Sequence, residues 1–222
     1  MIKFENVDVY NFENAIRGMR NSWESWDKMD SEWIEIGPSD SQWFAESGVW
    51  WYEIGPNDHA LAMKLGKAGP EHAKYLRQIF ISVDITAPLK WWDETDQYNF
   101  FTTNSTSSMH TLGKDYITPD SFSFEDVDDD LLDGYMQILN TARNRWENSG
   151  KKKPSREWRQ MIMLTAMGFD YRRTFTSNYG QLRNMYHQRK NHRLQEWREF
   201  AKWVETLPYS EFITLKKKEE AK

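Results

Sequence analysis

RQIFISVDIT, residues 77–86, sets Ile79, Ile81, Val83 and Ile85 against Phe80, Ser82 and Asp84. A period of two with β-branched residues on one side is the mark of a strand with one buried face, and it is the clearest strand signal in the chain. Ala87-Pro88 follow it. Proline in a first helical turn sacrifices no amide partner, so a short helix carrying Trp91 and Trp92 is expected next. Working outward, residues 2–10 alternate loosely, with Val7 and Val9 on one side, and residues 171–176 read as a further strand. Asn11 is the expected cap of a helix through Met19. Asn57 is the expected cap of another, with Leu61, Leu65 and Ala68 on one face and Gly69-Pro70 as its stop. Apolar residues at helical spacing predict helices over 131–147 (Leu132, Tyr135, Met136, Leu139, Trp146), 155–167 (Trp158, Met161, Ile162, Thr165), 178–191 and 194–207. The expected class is α+β: a helix-rich single domain over residues 1–213 with a small mixed or antiparallel sheet.

The 222 residues include 12 Trp, 10 Tyr and 12 Phe, so the chain is too aromatic for disorder despite 28% charged residues. Six of the tryptophans, Trp23, Trp26, Trp33, Trp43, Trp50 and Trp51, fall in an irregular stretch over 22–56 with two Gly-Pro steps, Gly37-Pro38 and Gly55-Pro56. Linkers do not spend tryptophan, so this stretch is expected to be an insertion pinned by aromatic packing. The closing residues, 214–222, are expected to form a disordered tail of mixed charge.

Other features exclude whole classes of function. No run reaches the roughly 20 apolar residues of a membrane helix, and residues 1–10 lack a signal-peptide pattern, so a cytoplasmic location without a membrane is expected. A formal charge of −5 gives no reason to expect a duplex nucleic-acid partner. With no cysteine, disulfides, thiolate metal sites and cysteine nucleophiles are ruled out. Glycine-rich phosphate loops are absent, and the five histidines have no metal-binding spacing. The acidic run Asp126, Asp128, Asp129, Asp130 and Asp133 is not an EF-hand: counted from Asp126, Leu131 stands where glycine is needed and Gln137 where the glutamate belongs. It reads as a solvated segment suited to the N-terminus of the next helix. No metal is expected.

The one constellation with chemical promise lies on the helix from Asn178. Asn178, Leu182, Met185 and Arg189 share a stripe at helical spacing, which places an arginine at the end of a core-facing seam. Such a guanidinium either snorkels to water, pairs within the chain, or holds an anion. Asn184 lies on the same helix.

The order of several segments resembles the flavin-dependent thymidylate synthases: IRGMRNSW (16–23), KAGPEH (67–72), RQIFISVDITAP (77–88) and TSNYGQLRNMYHQRKNHRLQEWREFA (176–201). The likeness is spread from residue 3 to about residue 205. It implies a homotetramer with FAD at subunit interfaces that methylates the nucleotide dUMP, using methylene-tetrahydrofolate as carbon donor and NADPH as reductant. It also implies cofactor contacts at Ser22, His72, Asn178 and Asn184, substrate contacts at Arg20, Asn104 and Ser107, and a catalytic role for Arg189 in holding the uracil ring. The family's Arg-His-Arg signature should follow Ala87-Pro88. Here the ungapped positions hold Gln97, Tyr98, Asn99, Thr102, Asn104, Ser105, Ser107 and Met109, so hydroxyls and an asparagine stand but the arginines and the glutamate are replaced. Lys90, Lys114, Arg172 and Arg173 are substitutes by charge. Reduced flavin supplies hydride without a protein nucleophile, which suits a chain lacking cysteine. Two other readings stand beside this one: a divergent homologue that binds a nucleotide or other ligand without turnover, and an aromatic-rich interaction protein.

Overall fold

The structure is a computed structural model that describes residues 2–35, 50–123 and 127–216. Its elements are, in order, β1 (Lys3–Tyr10), α1 (Phe12–Met19), β2 (Glu32–Glu35), β3 (Trp50–Glu53), α2 (Pro56–Ala68), β4 (Phe80–Pro88), α3 (Leu89–Thr95), β5 (Thr102–Ser105), α4 (Ser108–Thr111), α5 (Asp129–Asn148), α6 (Arg156–Met163), β6 (Asp170–Asn178), α7 (Tyr179–Arg189), α8 (Gln195–Glu205) and α9 (Glu211–Thr214). The class is α+β and helix-rich. Four strands form one sheet in the order β1-β4-β6-β5, with β5 antiparallel to β6, while β2 and β3 form a separate antiparallel pair. Among the described residues no helix is long and apolar enough to cross a membrane.

The chain divides into two compact units. The first comprises Met1–Val7, Ser82–Thr176 and Asn191–Phe200. It has two apolar centres. Trp92, Trp91, Trp197 and Phe200 pack ring to ring in that order, with centroids of successive pairs 4.8, 5.0 and 5.6 Å apart, and all four are excluded from water. The indole N–H of Trp92 donates to the Tyr171 carbonyl (3.1 Å) and that of Trp197 to Glu94 Oε2 (2.9 Å), so burial leaves neither donor orphaned. The other centre lies under α5 and α6: Leu112, Ile117, Phe122, Met136, Leu139, Ala142, Trp146 and Met161. Within it the buried Asn140 amide accepts from the Ile117 amide and donates to the Ile117 and Met136 carbonyls. Asp128 stands at the N-cap of α5 with Asp129 and Asp130 in its first turn, the anion placement that a helix dipole favours. Among the described residues no acidic or histidine cluster could hold a metal; Asp126 lies outside them.

The second unit comprises Asp8–Ile81, Ser177–Lys190 and Ala201–Lys222. Its core joins Phe12, Ile16, Tyr75, Leu76, Leu182, Met185, Phe212 and Ile213 around the buried Tyr179, whose hydroxyl donates to the Pro208 carbonyl at 2.6 Å.

Several sequence expectations need correction. Val7 is exposed, and β1 shows no regular alternation of burial. Asn11 stands at the N-cap of α1 but in the left-handed region (φ 74°) and makes no capping bond; its side chain instead donates to the Gln78 carbonyl and accepts from Asn14. The N-cap of α2 is Gly55, so Asn57 lies inside the helix, and the buried face is Asp58, Ala62 and Gly66, not Leu61, Leu65 and Ala68. Helix α6 ends at Met163 because the Tyr135 hydroxyl takes over the next backbone groups, donating to the Leu164 carbonyl and accepting from the Ala166 amide. The stretch expected to be an insertion is met by two short 3-10 turns, Asn21–Trp23 and Trp26–Lys28, and the β2–β3 pair; Trp43 and Gly37-Pro38 lie outside the described residues. Thr214 is buried at the end of α9 and Lys216 bonds to Glu205, so residues 214–216 do not form the disordered tail expected over 214–222; residues 217–222 lie outside the described part.

Candidate functional site

Eight residues were assigned to a site by resemblance, and six belong to the second unit. Arg20, Ser22 and His72 line one cleft of about 830 Å³, together with Met19, Trp23, Ser25, Lys28, Asn57, Leu61, Lys64 and Leu65. Its walls come from the end of α1, the two 3-10 turns at Asn21–Trp23 and Trp26–Lys28, the outer face of α2 and the segment after Gly69. The corrected register of α2 explains this wall. Because the small residues Ala62 and Gly66 turn inward, Leu61, Lys64 and Leu65 are left facing the cleft.

The lining is basic and carries no carboxylate, in a chain whose formal charge is −5. Lys28 and Lys64 form no ion pair among the described residues. His72 is exposed and lies 3.5 Å from Glu71 Oε1. Trp23 is 88% exposed, an unusual cost for the largest side chain, and offers an open indole face. Arg20 differs from its neighbours. It is buried, and its Nε donates to Asp58 Oδ1 at 2.6 Å, so its charge is already compensated. Asp58 Oδ2 accepts in turn from the amides of Asp30 and Ser31 and from the Ser31 hydroxyl. Asp30 caps the first turn of α2; burial pushes its carboxyl up, but bonds from the Asn57 and Asp58 amides outweigh this and hold it below the usual range.

On α7, Asn178 is the N-cap and its Oδ1 accepts from the Gln181 amide at 3.0 Å. The predicted stripe is present: Leu182 and Met185 are fully buried and Arg189 is half-buried in the last turn. Asn184 is exposed, accepts from Gln188 and lines a different, smaller cavity with Pro70, Ala73, Leu76, Arg77, Gly180, Arg183 and His187. Arg77 and Arg183 carry no pattern that sequence reading could single out.

Asn104 and Ser107 belong to the first unit. Asn104 is exposed on β5 opposite Thr174, and Ser107 is the half-buried N-cap of α4, its carbonyl accepting from the Thr111 hydroxyl. The substitute cations proposed by charge are largely engaged there. Arg172 pairs with Asp84 (2.8 Å) and Glu5 (3.4 Å), Arg173 pairs with Asp96 (2.7 Å) and lies 4.4 Å over the Trp92 ring, and Lys90 pairs with Glu94 (3.5 Å).

At the level of sequence, no family profile and no curated protein matches the chain. The fold does find counterparts, flavin-dependent thymidylate synthases among them. A crystal structure of thymidylate synthase X (ThyX) from Helicobacter pylori with FAD and dUMP superposes with a TM-score of 0.69 at 15% identity, covering 95% of this chain and 94% of that one. A second, of the flavin-dependent thymidylate synthase ThyX of Helicobacter pylori complexed with FAD and dUMP, gives 0.68 at 14% identity over 95% of each chain. At this identity the likeness is one of fold.

Proposed function

We propose that the protein is a flavin-dependent thymidylate synthase-like methyltransferase, binding FAD in the 830 Å³ cleft and acting as a homotetramer on dUMP, with methylene-tetrahydrofolate and NADPH as co-substrates. One observation carries the reading: Arg20, Ser22 and His72, assigned from sequence segments some fifty residues apart, converge on a single cleft. The donor set suits a planar, phosphate-bearing ligand. Lys28 and Lys64 offset phosphate charge, Trp23 offers a stacking face, and Ser22 and Asn57 supply hydrogen bonds. FAD, once bound and reduced by NADPH, would supply the hydride, so the reaction needs no protein nucleophile. Asn178 would reach the flavin through its amide nitrogen, since its oxygen caps α7. Arg20, held to Asp58 through its Nε, would position the cleft wall and meet the substrate through its remaining N–H groups.

A second reading, nucleotide binding without turnover, is favoured by residues 97–109, where no arginine stands, and by the internal pairing of Arg172 and Arg173. Two measurements separate the two. The purified protein is expected to carry visible flavin absorbance, and to release tritium from 5-tritiated dUMP when supplied with FAD, NADPH and methylene-tetrahydrofolate. Flavin or dUMP binding without tritium release establishes the second reading. A colourless protein that neither FAD nor dUMP stabilises against heat defeats both.

A further inference from the structure

We propose that the face of the first unit formed by α5 and α6 is a docking surface for a second copy of this chain, seated antiparallel about a two-fold axis. Helix α5 carries two stripes. One, with Leu132, Met136, Leu139 and Trp146, faces the core beneath it. The other runs through Leu131, Gly134, Ile138, Thr141 and Arg145 at steps of three and four, the seam spacing of two packed helices, and all five are exposed. Leu131 is 63% and Ile138 56% exposed, and Met163, at the end of α6, is 75% exposed. Gly134, Ile138, Thr141 and Arg145 line an open groove of about 790 Å³ together with Met163 and Leu164. Large apolar side chains gathered along one groove, unlike apolar residues scattered singly, mark an interaction surface.

Charge and shape name the occupant. Asp130 flanks the N-terminal end of the seam and Arg145 closes its C-terminal end, and neither forms an ion pair among the described residues; the nearby Glu147 is engaged by Arg143 and Lys151. A seam acidic at one end and basic at the other complements itself only when reversed, which is the contact a two-fold axis makes. Setting Asp130 of each copy against Arg145 of the other fixes the register. The two residues are 15 positions apart, about 22 Å of helix, so the axis passes between Gln137 and Ile138. Gly134 of one copy then faces Thr141 of the other, and Ile138 meets its own counterpart. Nothing lies within 4 Å of a Cβ built on Gly134, so the partner's backbone is free to approach there. Met163 and Leu164 of each α6 close over the side of the seam, and the two helix pairs become a four-helix bundle. No part of this rests on the flavin reading.

The chain has no cysteine, so a single introduced one reports on register without background. Ile138→Cys, at an exposed side chain beside the axis, is expected to give a covalent dimer when the full chain is treated with diamide, which accepts the two hydrogens of the thiol pair. Leu131→Cys is expected to stay monomeric on a denaturing gel. Its two copies lie about 20 Å apart along the helices, beyond the roughly 7 Å that a disulfide spans between Cα atoms. Sedimentation adds a charge test. Asp130→Lys and Arg145→Glu, each alone, are expected to weaken association roughly tenfold or more, since like charges then meet at both ends of the seam. An equimolar mixture of the two variants is expected to restore it, because opposite charges meet again. A wild-type chain that sediments as a monomer at micromolar concentration overturns the proposal. So does assembly that leaves residue 138 uncross-linked, cross-linking at residue 131 equal to that at 138, or a mixture that associates no better than either variant. None of these readouts needs flavin, so a colourless protein leaves them intact.

Discussion

Arg20 Nε lies 2.6 Å from Asp58 Oδ1, with both side chains withdrawn from water. The pair ties the end of α1 to the first turn of α2, and the second oxygen of Asp58 also holds the chain at Asp30 and Ser31. Breaking such a pair from one side leaves the other charge buried and uncompensated. Asp58→Ala is therefore expected to cost about 3–5 kcal/mol, read as a lowered urea midpoint. A double replacement, Arg20→Met with Asp58→Leu, is expected to recover part of that loss because no buried charge remains. If the single change proves nearly neutral, the pair does not hold this corner of the unit.

Two glycines predict opposite signs. A Cβ at Gly55 would sit 2.2 Å from the Asp30 carbonyl oxygen, within the loop that caps α2. That approach cannot be relieved by a side-chain rotation, so Gly55→Ala is expected to destabilise by about 1–3 kcal/mol or more, as overpacking against backbone does. Gly134, inside α5, has nothing within 4 Å of its would-be Cβ. Gly134→Ala is expected to stabilise by about 0.5–1 kcal/mol through helix propensity. Thermal unfolding of the two variants beside the wild type checks both signs.

Acid stability should depend on Asp84. Its carboxylate accepts from the Thr174 hydroxyl, from Arg172 Nη2 (2.8 Å) and from Asn6 Nδ2 (2.9 Å), and these bonds hold its pKa well below the usual aspartate value. Glu205 is held low by Lys216 and Tyr186, and Glu147 by Lys151 and Arg143. A depressed folded pKa means that the unfolded chain takes up protons first as pH falls. Stability from these groups is thus complete above the ordinary carboxylate range and drains away below it. In urea unfolding across pH, Asp84→Asn is expected to be less stable than the wild type at pH 7 and to converge with it in acid. Parallel curves at all pH values would refute this.

How far the sequence reveals the molecule depends on what each element buries. β4 is legible because Ile79, Ile81, Val83 and Ile85 are all inward and all large. The face of α2 is not, because what it buries is Ala62, Gly66 and a charged Asp58, a set with no hydrophobic signal. The abundant tryptophans split: Trp91, Trp92 and Trp197 fill the core, while Trp23, Trp26, Trp33 and Trp50 stay exposed, and composition alone cannot sort them. In the candidate cleft, Ser22 and His72, both named by resemblance, line the same wall, whereas the pairing of Arg20 with Asp58 spans 38 residues and leaves no trace in spacing. The inward stripe of α7 was readable from Leu182 and Met185. Arg77 and Arg183 were not, since an isolated arginine reads as surface until the fold shows no acid beside it.

The cleft itself makes the sharpest prediction about ligand binding. Lys28 and Lys64 are exposed and unpaired among the described residues, so removing either costs the folded chain little. On the function proposed above, their value would lie in the bound state, where a diphosphate-bearing cofactor needs cations that residues 97–109 do not supply. Lys28→Gln and Lys64→Gln are each expected to weaken FAD binding by roughly tenfold, to leave the thermal midpoint of the ligand-free protein unchanged, and to flatten the salt dependence of binding. Trp23, 88% exposed, should behave differently. Trp23→Ala removes a stacking face worth about 1–3 kcal/mol without altering the salt dependence, and Trp23→Phe keeps most of it. Fluorescence titration with FAD at several ionic strengths separates the two effects. If both lysine variants bind FAD as the wild type does, with the same salt slope, then the phosphates of the cofactor do not lie in this cleft.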